Sequence, residues 1–315
     1  MKFIITRFIL SFGLATLAVT IQAQPTAHYV PGVEGIDAAT LPPPGWYVRD
    51  YNAGYYSDRL NDARGNPTGP ANFQVFTYAN VPRIIWISET KLLGGNVGVD
   101  GLLPLVYQNV RYDTVPVIYL TPGGPALSHR SHSRGTFGVG DAFAESTLSW
   151  HLPQFDFSAG LGVWLPTGVS APPPTTLPGL GYWTPMWTAG GTWHIDADKT
   201  WDVSALCRYE LNTEQRHTHI TRGDAFTLEW GISHKIEKIF DVGAIGYYQQ
   251  KVSDDAGPAG SPYLTPPDRV AAAGPEISVA FPKQLFFISA RYLYEFIAEN
   301  RAQGQTFTLT FTKRF

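Results

Sequence analysis

The last ten residues, Thr306 to Phe315, constrain the fold more than any other stretch. Phe307, Leu309, Phe311 and Phe315 fall on one side of an extended chain, and Thr306, Thr308, Thr310, Thr312 and Arg314 on the other. A period of two with one apolar face is a strand signal. In a soluble sheet the apolar face would turn inward. A closing strand whose final residue is Phe matches the outer-membrane β-barrel pattern instead, where the apolar face meets lipid and the Thr face meets the lumen. Lys313 departs from that pattern on the outward face, where a long side chain can snorkel to the interface.

The other end of the chain agrees with export. Residues 1–23 carry Lys2 and Arg7, an apolar run from Phe8 to Ile21, and the small-residue site Ile21-Gln22-Ala23, the features of a secretory signal peptide. Its removal takes the net charge from −3 to −5. Without a basic excess, nucleic acid is not an expected partner. Charged residues make up 16% of the chain, against roughly 25% in an ordinary soluble domain, while aromatics reach 14%. No other stretch is apolar enough for a membrane-spanning helix. This balance suits a barrel that places one face of every strand in lipid. Cys207 is the single cysteine, so no internal disulfide forms.

About twelve strands are expected, near 46–57, 73–90, 95–110, 135–150, 154–167, 184–196, 200–212, 223–236, 240–252, 271–281, 284–297 and 304–315. The connections alternate in length. Lys91–Gly94, His151–Pro153, Ala197–Lys199, Glu237–Ile239 and Pro282–Lys283 are short. Asp58–Asn72, Arg111–Arg134, Gly168–Trp183, Thr213–Arg222 and Ser253–Val270 are long, with a shorter final member at Ala298–Gln303. Short periplasmic turns opposite long external loops, with an even strand number, describe an antiparallel up-and-down transmembrane barrel over residues 46–315 with both termini in the periplasm. Strand faces alternate accordingly: Phe155, Phe157 and Leu161 against Asp156 and Ser158, and Trp201, Val203 and Tyr209 against Ser204, Arg208 and Glu210. Trp150, Trp201, Tyr209, Tyr294 and Phe315 near strand ends fit interfacial girdles. Residues 24–45 form a Pro-rich periplasmic lead-in, because Pro42-Pro43-Pro44 cannot occupy a central strand. It is either a tether or a plug reaching the pore mouth.

An ordered set of short motifs carries a family resemblance: His28–Ile36, Leu41–Val48 with Tyr51, Leu165-Pro-Thr-Gly168, Thr221-Arg-Gly-Asp224, Tyr248-Gln-Gln250 with Ser253-Asp-Asp-Ala-Gly257, Gly274-Pro275 and Glu295-Phe296. Spread over nearly the whole mature chain, they resemble the outer-membrane transporters of the phenol-degradation meta-pathway (MetA-pathway) family. The resemblance implies a barrel associated with catabolism of aromatic or other apolar compounds, which it would admit passively.

The expected lumen holds Asp141, Glu145, Asp156, Arg208, Glu210, Glu229, Lys235, Arg291 and Glu295. Acids and bases there either pair to hold the barrel's shape or line a path for solute. Asp141, Phe143, Glu145, Arg208, Glu210, Glu229, Tyr247, Arg291 and Glu295 are the substrate-path candidates, since an aromatic solute needs stacking contacts and a few orienting polar groups. No catalytic residue is expected: His129 and His132 lie among Ser128, Ser131 and Ser133, but in no nucleophile motif. No metal or cofactor is expected either. His217-Thr-His219 supplies only two ligands. Asp254-Asp255 with Gly257 has only part of a calcium-loop spacing. The expected partners are outer-membrane lipid, a small apolar or aromatic solute, and the barrel-assembly machinery through the strand ending at Phe315. The alternative is a structural or adhesion barrel whose lumen is closed.

Overall fold

The computed structural model describes residues 27–113, 117–121, 124–128, 131–172 and 175–315. The expected signal peptide, residues 1–23, and His129 lie outside the described residues. The strands are β1 (Gly45–Leu60), β2 (Gln74–Leu92), β3 (Gly95–Leu102), β4 (Leu105–Asp113), β5 (Val117–Thr121), β6 (Gly124–Ser128), β7 (Ser131–Val139), β8 (Ala142–His151), β9 (Phe155–Leu165), β10 (Thr184–His194), β11 (Trp201–Glu210), β12 (Ala225–Ile236), β13 (Phe240–Lys251), β14 (Arg269–Phe281), β15 (Phe286–Glu299) and β16 (Ala302–Arg314).

Hydrogen bonding closes this set into an antiparallel barrel. β1 pairs with β16 on one edge (Tyr51 opposite Thr310) and with β2 on the other (Tyr51 opposite Val81). The circuit runs β1, β2, β3, β8 and then each strand in turn to β16, giving twelve strands and no free edge along it. Closure matters because lipid offers no partner to a bare backbone N–H or C=O. The short and long connections fall at opposite ends, as the sequence indicates.

Two expected strands are each split in two. The strand near 95–110 is β3 followed by β4, broken at Leu103-Pro104, and the strand near 135–150 is β7 followed by β8, broken at Gly140-Asp141. Pro104 has no N–H for the ladder. Its carbonyl instead accepts from Gly140 N–H at 2.8 Å, which pins one break to the other. Beyond the breaks, β2 pairs with β4 and β4 with β7, so β4 and β7 extend the wall on one side only. β5 and β6 form a separate hairpin. The outer edge of β7 has no strand neighbour among the described residues. The long-loop segment 166–183 lies against it: Thr136 and Thr176 hydroxyls bond at 2.5 Å, and a Cβ on Gly138 would lie 3.1 Å from the Pro178 ring. This seam is held by side chains and loop backbone rather than by a ladder.

The faces sort as the alternation requires. Trp187, Trp193, Trp201, Phe157, Leu161 and Phe307 stand on the outside, while Asp202, Ser204, Arg208, Glu210, Thr308 and Thr310 are buried within. An apolar exterior over a charged interior is the reverse of a soluble protein and fits a hydrocarbon surround. Phe315 N–H bonds the Trp46 carbonyl at 2.9 Å, so the last residue is tied to the first strand. Cys207 sits half-buried on the outer face of β11, unpaired with any cysteine.

β14 and β15 shift register between Ala271 and Ala272, and Gly274 follows two residues later at a close approach of the two strands. A Cβ on Gly274 would lie 1.8 Å from the Tyr292 carbonyl oxygen, in contact with backbone that cannot rotate away. Gly274→Val is expected to cost about 1–3 kcal/mol through this overpacking. A urea titration of the folded-to-unfolded shift in gel mobility reads the change, and an unaltered midpoint would contradict the close approach.

Candidate functional site

The barrel is not empty. Residues 27–44 run through the lumen from the short-turn end, where Arg314 bonds the Pro44 carbonyl at 3.0 Å, to His28, which bonds Thr184 at 2.8 Å and Asp141 at 3.0 Å. This stretch contains no helix or strand, so its backbone polar groups need other partners. Wall side chains supply them. Glu210 accepts from Tyr29 N–H (3.0 Å), Glu229 from Gly32 N–H (2.6 Å) and the Tyr29 hydroxyl (2.5 Å), and Glu276 from Ile36 N–H (3.0 Å). Arg291 donates to the Val33 carbonyl at 2.5 Å. Gly32 and Gly35, with φ of +86° and +75°, allow the turns these contacts require. The wall leaves room: Ile36 packs over Gly231 and Gly243, and Ala39 over Gly190. Gly190 therefore seats the internal segment rather than bending a strand.

Glu34 is the centre of the arrangement. Its Oε1 lies 2.8 Å from Arg83 Nη1 and 3.0 Å from Arg208 Nη2, and its Oε2 lies 3.4 Å from Arg49 Nη1. Arg83 also bonds Asp100 (2.8 Å), and Arg208 bonds Glu229 (2.6 Å). Glu145 lies 3.8 Å from Arg83. One carboxylate from the segment is thus shared by three wall arginines from β1, β2 and β11, and ties opposite sides of the lumen together. Burial alone would raise the Glu34 carboxyl, but Arg83, then Arg208 and Arg49, outweigh it and bring it down to about 2.

On the long-loop side of this charged layer lies a cavity of about 340 Å³. Its wall is largely apolar: Val75, Ala79 and Val81 from β2, Val106 from β4, and Phe143 and Met186 opposite. β2 carries apolar residues on both faces here, with Phe76, Ile84 and Trp86 turned outward. On the short-turn side lies a smaller cavity of about 140 Å³. Glu34, Arg83, Glu145 and Arg208 line both and so form the partition between them. Of the substrate-path candidates, Asp141, Phe143, Glu145, Arg208, Tyr247 and Glu295 line the larger cavity. Glu210, Glu229 and Arg291 bond the internal segment instead. Asp141 also accepts from Gly168 N–H (2.8 Å) and Leu180 N–H (2.7 Å), so it fastens the seam segment as well as His28. His28 is buried, which lowers its pKa below 6.5 despite Asp141, and its ring stacks at 5.6 Å on Trp164.

Glu34, Arg83, Asp100 and Glu276 escaped the sequence reading. Two signals were available: Glu34 lies within the His28–Ile36 motif, and Arg83 interrupts the inward row Val75, Ala79, Val81 and Ile85 of β2. Several other charged residues pair with one another. At the short-turn end His151, Asp156, His194, Asp202, Lys235 and Asp37 form a chain of contacts. Asp37, Asp202 and Asp241 bring carboxylate oxygens within 4.8 Å of one another, and the Lys235 ammonium already serves two of them. His217 bonds Ser170 at 3.2 Å and His219 bonds Glu214 at 2.7 Å, so each of the two histidines has a partner of its own. Asp255 is clamped by Arg222 (2.8 Å), Lys251, Gly223 N–H (2.9 Å) and Thr265 N–H (2.8 Å). These contacts bring it down to about 2 against the cost of burial, and they lock the Thr221–Asp224 and Ser253–Gly257 motifs together.

The Glu34 contact carries a pH dependence. With a folded value of about 2 against an ordinary 4.5, its stabilisation is complete above pH 4.5 and is lost as pH falls through 2. Because the neighbouring Asp37, paired with Lys235, is raised to about 6 by burial, the label is read in an Asp37→Asn background: a spin label on Ala38→Cys, with Cys207→Ala, is expected to stay immobilised from pH 7 to pH 4.5 and to gain a mobile component towards pH 2. A spectrum that mobilises already near pH 6 would contradict a Glu34-centred anchor.

No curated protein sequence matches. An outer membrane channel from Pseudomonas putida F1 is similar in structure at 12% identity, with a TM-score of 0.72, covering 91% of this chain and 100% of that one. The CymD monoaromatic hydrocarbon channel (13% identity, TM-score 0.43, covering 86% of this chain and 89% of that one) and a Pseudomonas aeruginosa FadL homologue (10%, 0.42, 95% and 96%) are more distant. The first of these shows the fold, an outer-membrane β-barrel. Residues 57–311 match a single family profile, and the chain belongs to the family described as "Putative MetA-pathway of phenol degradation".

Proposed function

We propose that this barrel is an outer-membrane channel admitting small apolar or aromatic molecules by passive diffusion. The observation that carries this reading is the apolar cavity of about 340 Å³ lying beside the β7 seam. A solute arriving between the long loops meets Val75, Ala79, Val81 and Val106 and gains about 25 cal/mol for each Å² of apolar surface it removes from water. Ahead of it stands the Glu34 layer. An uncharged ring offers nothing to those ion pairs, and breaking one buried pair costs about 3–5 kcal/mol. Its easier exit is sideways, between β7 and segment 166–183, where no ladder must be broken. The family's described link to phenol degradation supports an aromatic solute.

In this reading residues 1–23 direct export, residues 24–45 form the periplasmic lead-in and lumen plug, and the short turns and both termini face the periplasm. The exposed terminal Phe315 suits recognition of the closing strand by the barrel-assembly machinery. A second reading draws on the filled lumen: a closed structural or adhesion barrel that transports nothing.

A cross-link separates these readings. Thr136→Cys with Thr176→Cys places two thiols across the seam. Toluene uptake by cells expressing the oxidised pair is expected to fall about tenfold and to recover on reduction, a change equivalent to about 1.4 kcal/mol in barrier height. Uptake by the wild type that the cross-link leaves untouched would rule out the lateral exit. If the wild type itself supports no uptake of any apolar solute, the closed-barrel reading stands.

A further inference from the structure

The arginine cluster that holds Glu34 has the composition of a ligand site. Arg49, Arg83 and Arg208 converge on one carboxylate from three strands, and that carboxylate belongs to a segment with no regular structure of its own. Arginine forks match carboxylates in shape as well as charge. Two of the arginines keep wall acids when Glu34 is set aside, Arg83 with Asp100 and Glu145 and Arg208 with Glu229, whereas the ion pair of Arg49 is with Glu34. Glu34 is the one acid of the cluster that a strand does not hold, and it is the one that Arg49 depends on.

A second observation concerns the cavity wall. The buried Arg208, 4% exposed, has an Nε with no hydrogen-bond partner. The Trp164 Nε1 on the same cavity is a buried donor without one. Both residues line the apolar chamber, whose floor is formed by Arg83 and Arg208 beside Glu34. A molecule with an apolar body and one carboxylate would satisfy both parts of this environment.

We propose that Arg49, Arg83 and Arg208 form a binding site for a small aromatic or aliphatic monocarboxylate, and that Glu34 occupies it as an internal stand-in. The ligand's apolar body lies between Val81 and Phe143, and its carboxylate takes the place of the Glu34 carboxylate on the three arginines. Displacement of Glu34 frees the centre of the internal segment. The site deepens the channel reading, on which it rests only for the ligand's route of entry.

The test reads binding without transport, so its failure and that of the channel reading are distinguishable. Full-length protein in detergent is titrated calorimetrically with benzoate and with uncharged benzamide. Because a tethered carboxylate competes at an effective concentration in the millimolar range, Glu34→Gln is expected to tighten benzoate binding by about tenfold or more. Benzamide binding should be unchanged, and adding Arg49→Gln should remove the gain. Equal effects on both compounds, no gain in Glu34→Gln, or a gain that survives Arg49→Gln would each overturn the site. A second measurement leaves Glu34 in place. In the spin-labelled Ala38→Cys protein, millimolar benzoate should add a mobile component and benzamide should not. Mobilisation by both, or by neither, overturns the exchange.

Discussion

A chain surrounded by hydrocarbon has no water to satisfy its outward backbone, and everything else in this protein follows from that requirement. The pairing of β1 with both β16 and β2 removes the edge that lipid would not tolerate. It also fixes which residues face inward, because a shift by one position would turn Phe307 and Leu309 into the lumen and the neighbouring threonines into lipid. The circuit loosens where Pro104 and Gly140 break their strands. There the wall is completed by a loop.

Enclosure creates a second requirement. The charged residues that close the lumen away from lipid must be satisfied by one another or by something placed between them. Residues 27–44 do this. Glu210, Glu229 and Glu276 cap the segment's N–H groups, Arg291 caps one of its carbonyls, and Glu34 returns a carboxylate to three arginines. Segment and wall are polar complements. The segment has no fold without the wall, and without it the wall would leave several buried acids lacking donors. The same complementarity leaves one region of the lumen uncharged, where β2 and β4 present Val75, Ala79, Val81 and Val106, and the cavity forms there.

Much of this was legible in the sequence. The two-residue alternation along β9, β11 and β16 identified the inward and outward faces residue by residue. The alternation of short and long connections identified the barrel and its two ends. Inward placement of Asp141, Phe143, Glu145, Arg208, Tyr247 and Glu295 followed from that pattern alone. The splitting of two strands did not, although Pro104 was a visible interruption, because only the ladder shows that strands continue past such a break in the same direction.

What the sequence by itself determined is therefore the solvent of each strand face, since local period and side-chain polarity decide that without reference to distant residues. What only the tertiary structure decided is the content of the lumen. Tyr29 meets Glu229, Ile36 meets Glu276 and Glu34 meets Arg208, contacts spanning well over a hundred residues of chain. No local pattern encodes such pairings. They come into being when the barrel closes and brings opposite walls within hydrogen-bond reach of a segment that reads, in the sequence, as a proline-rich lead-in.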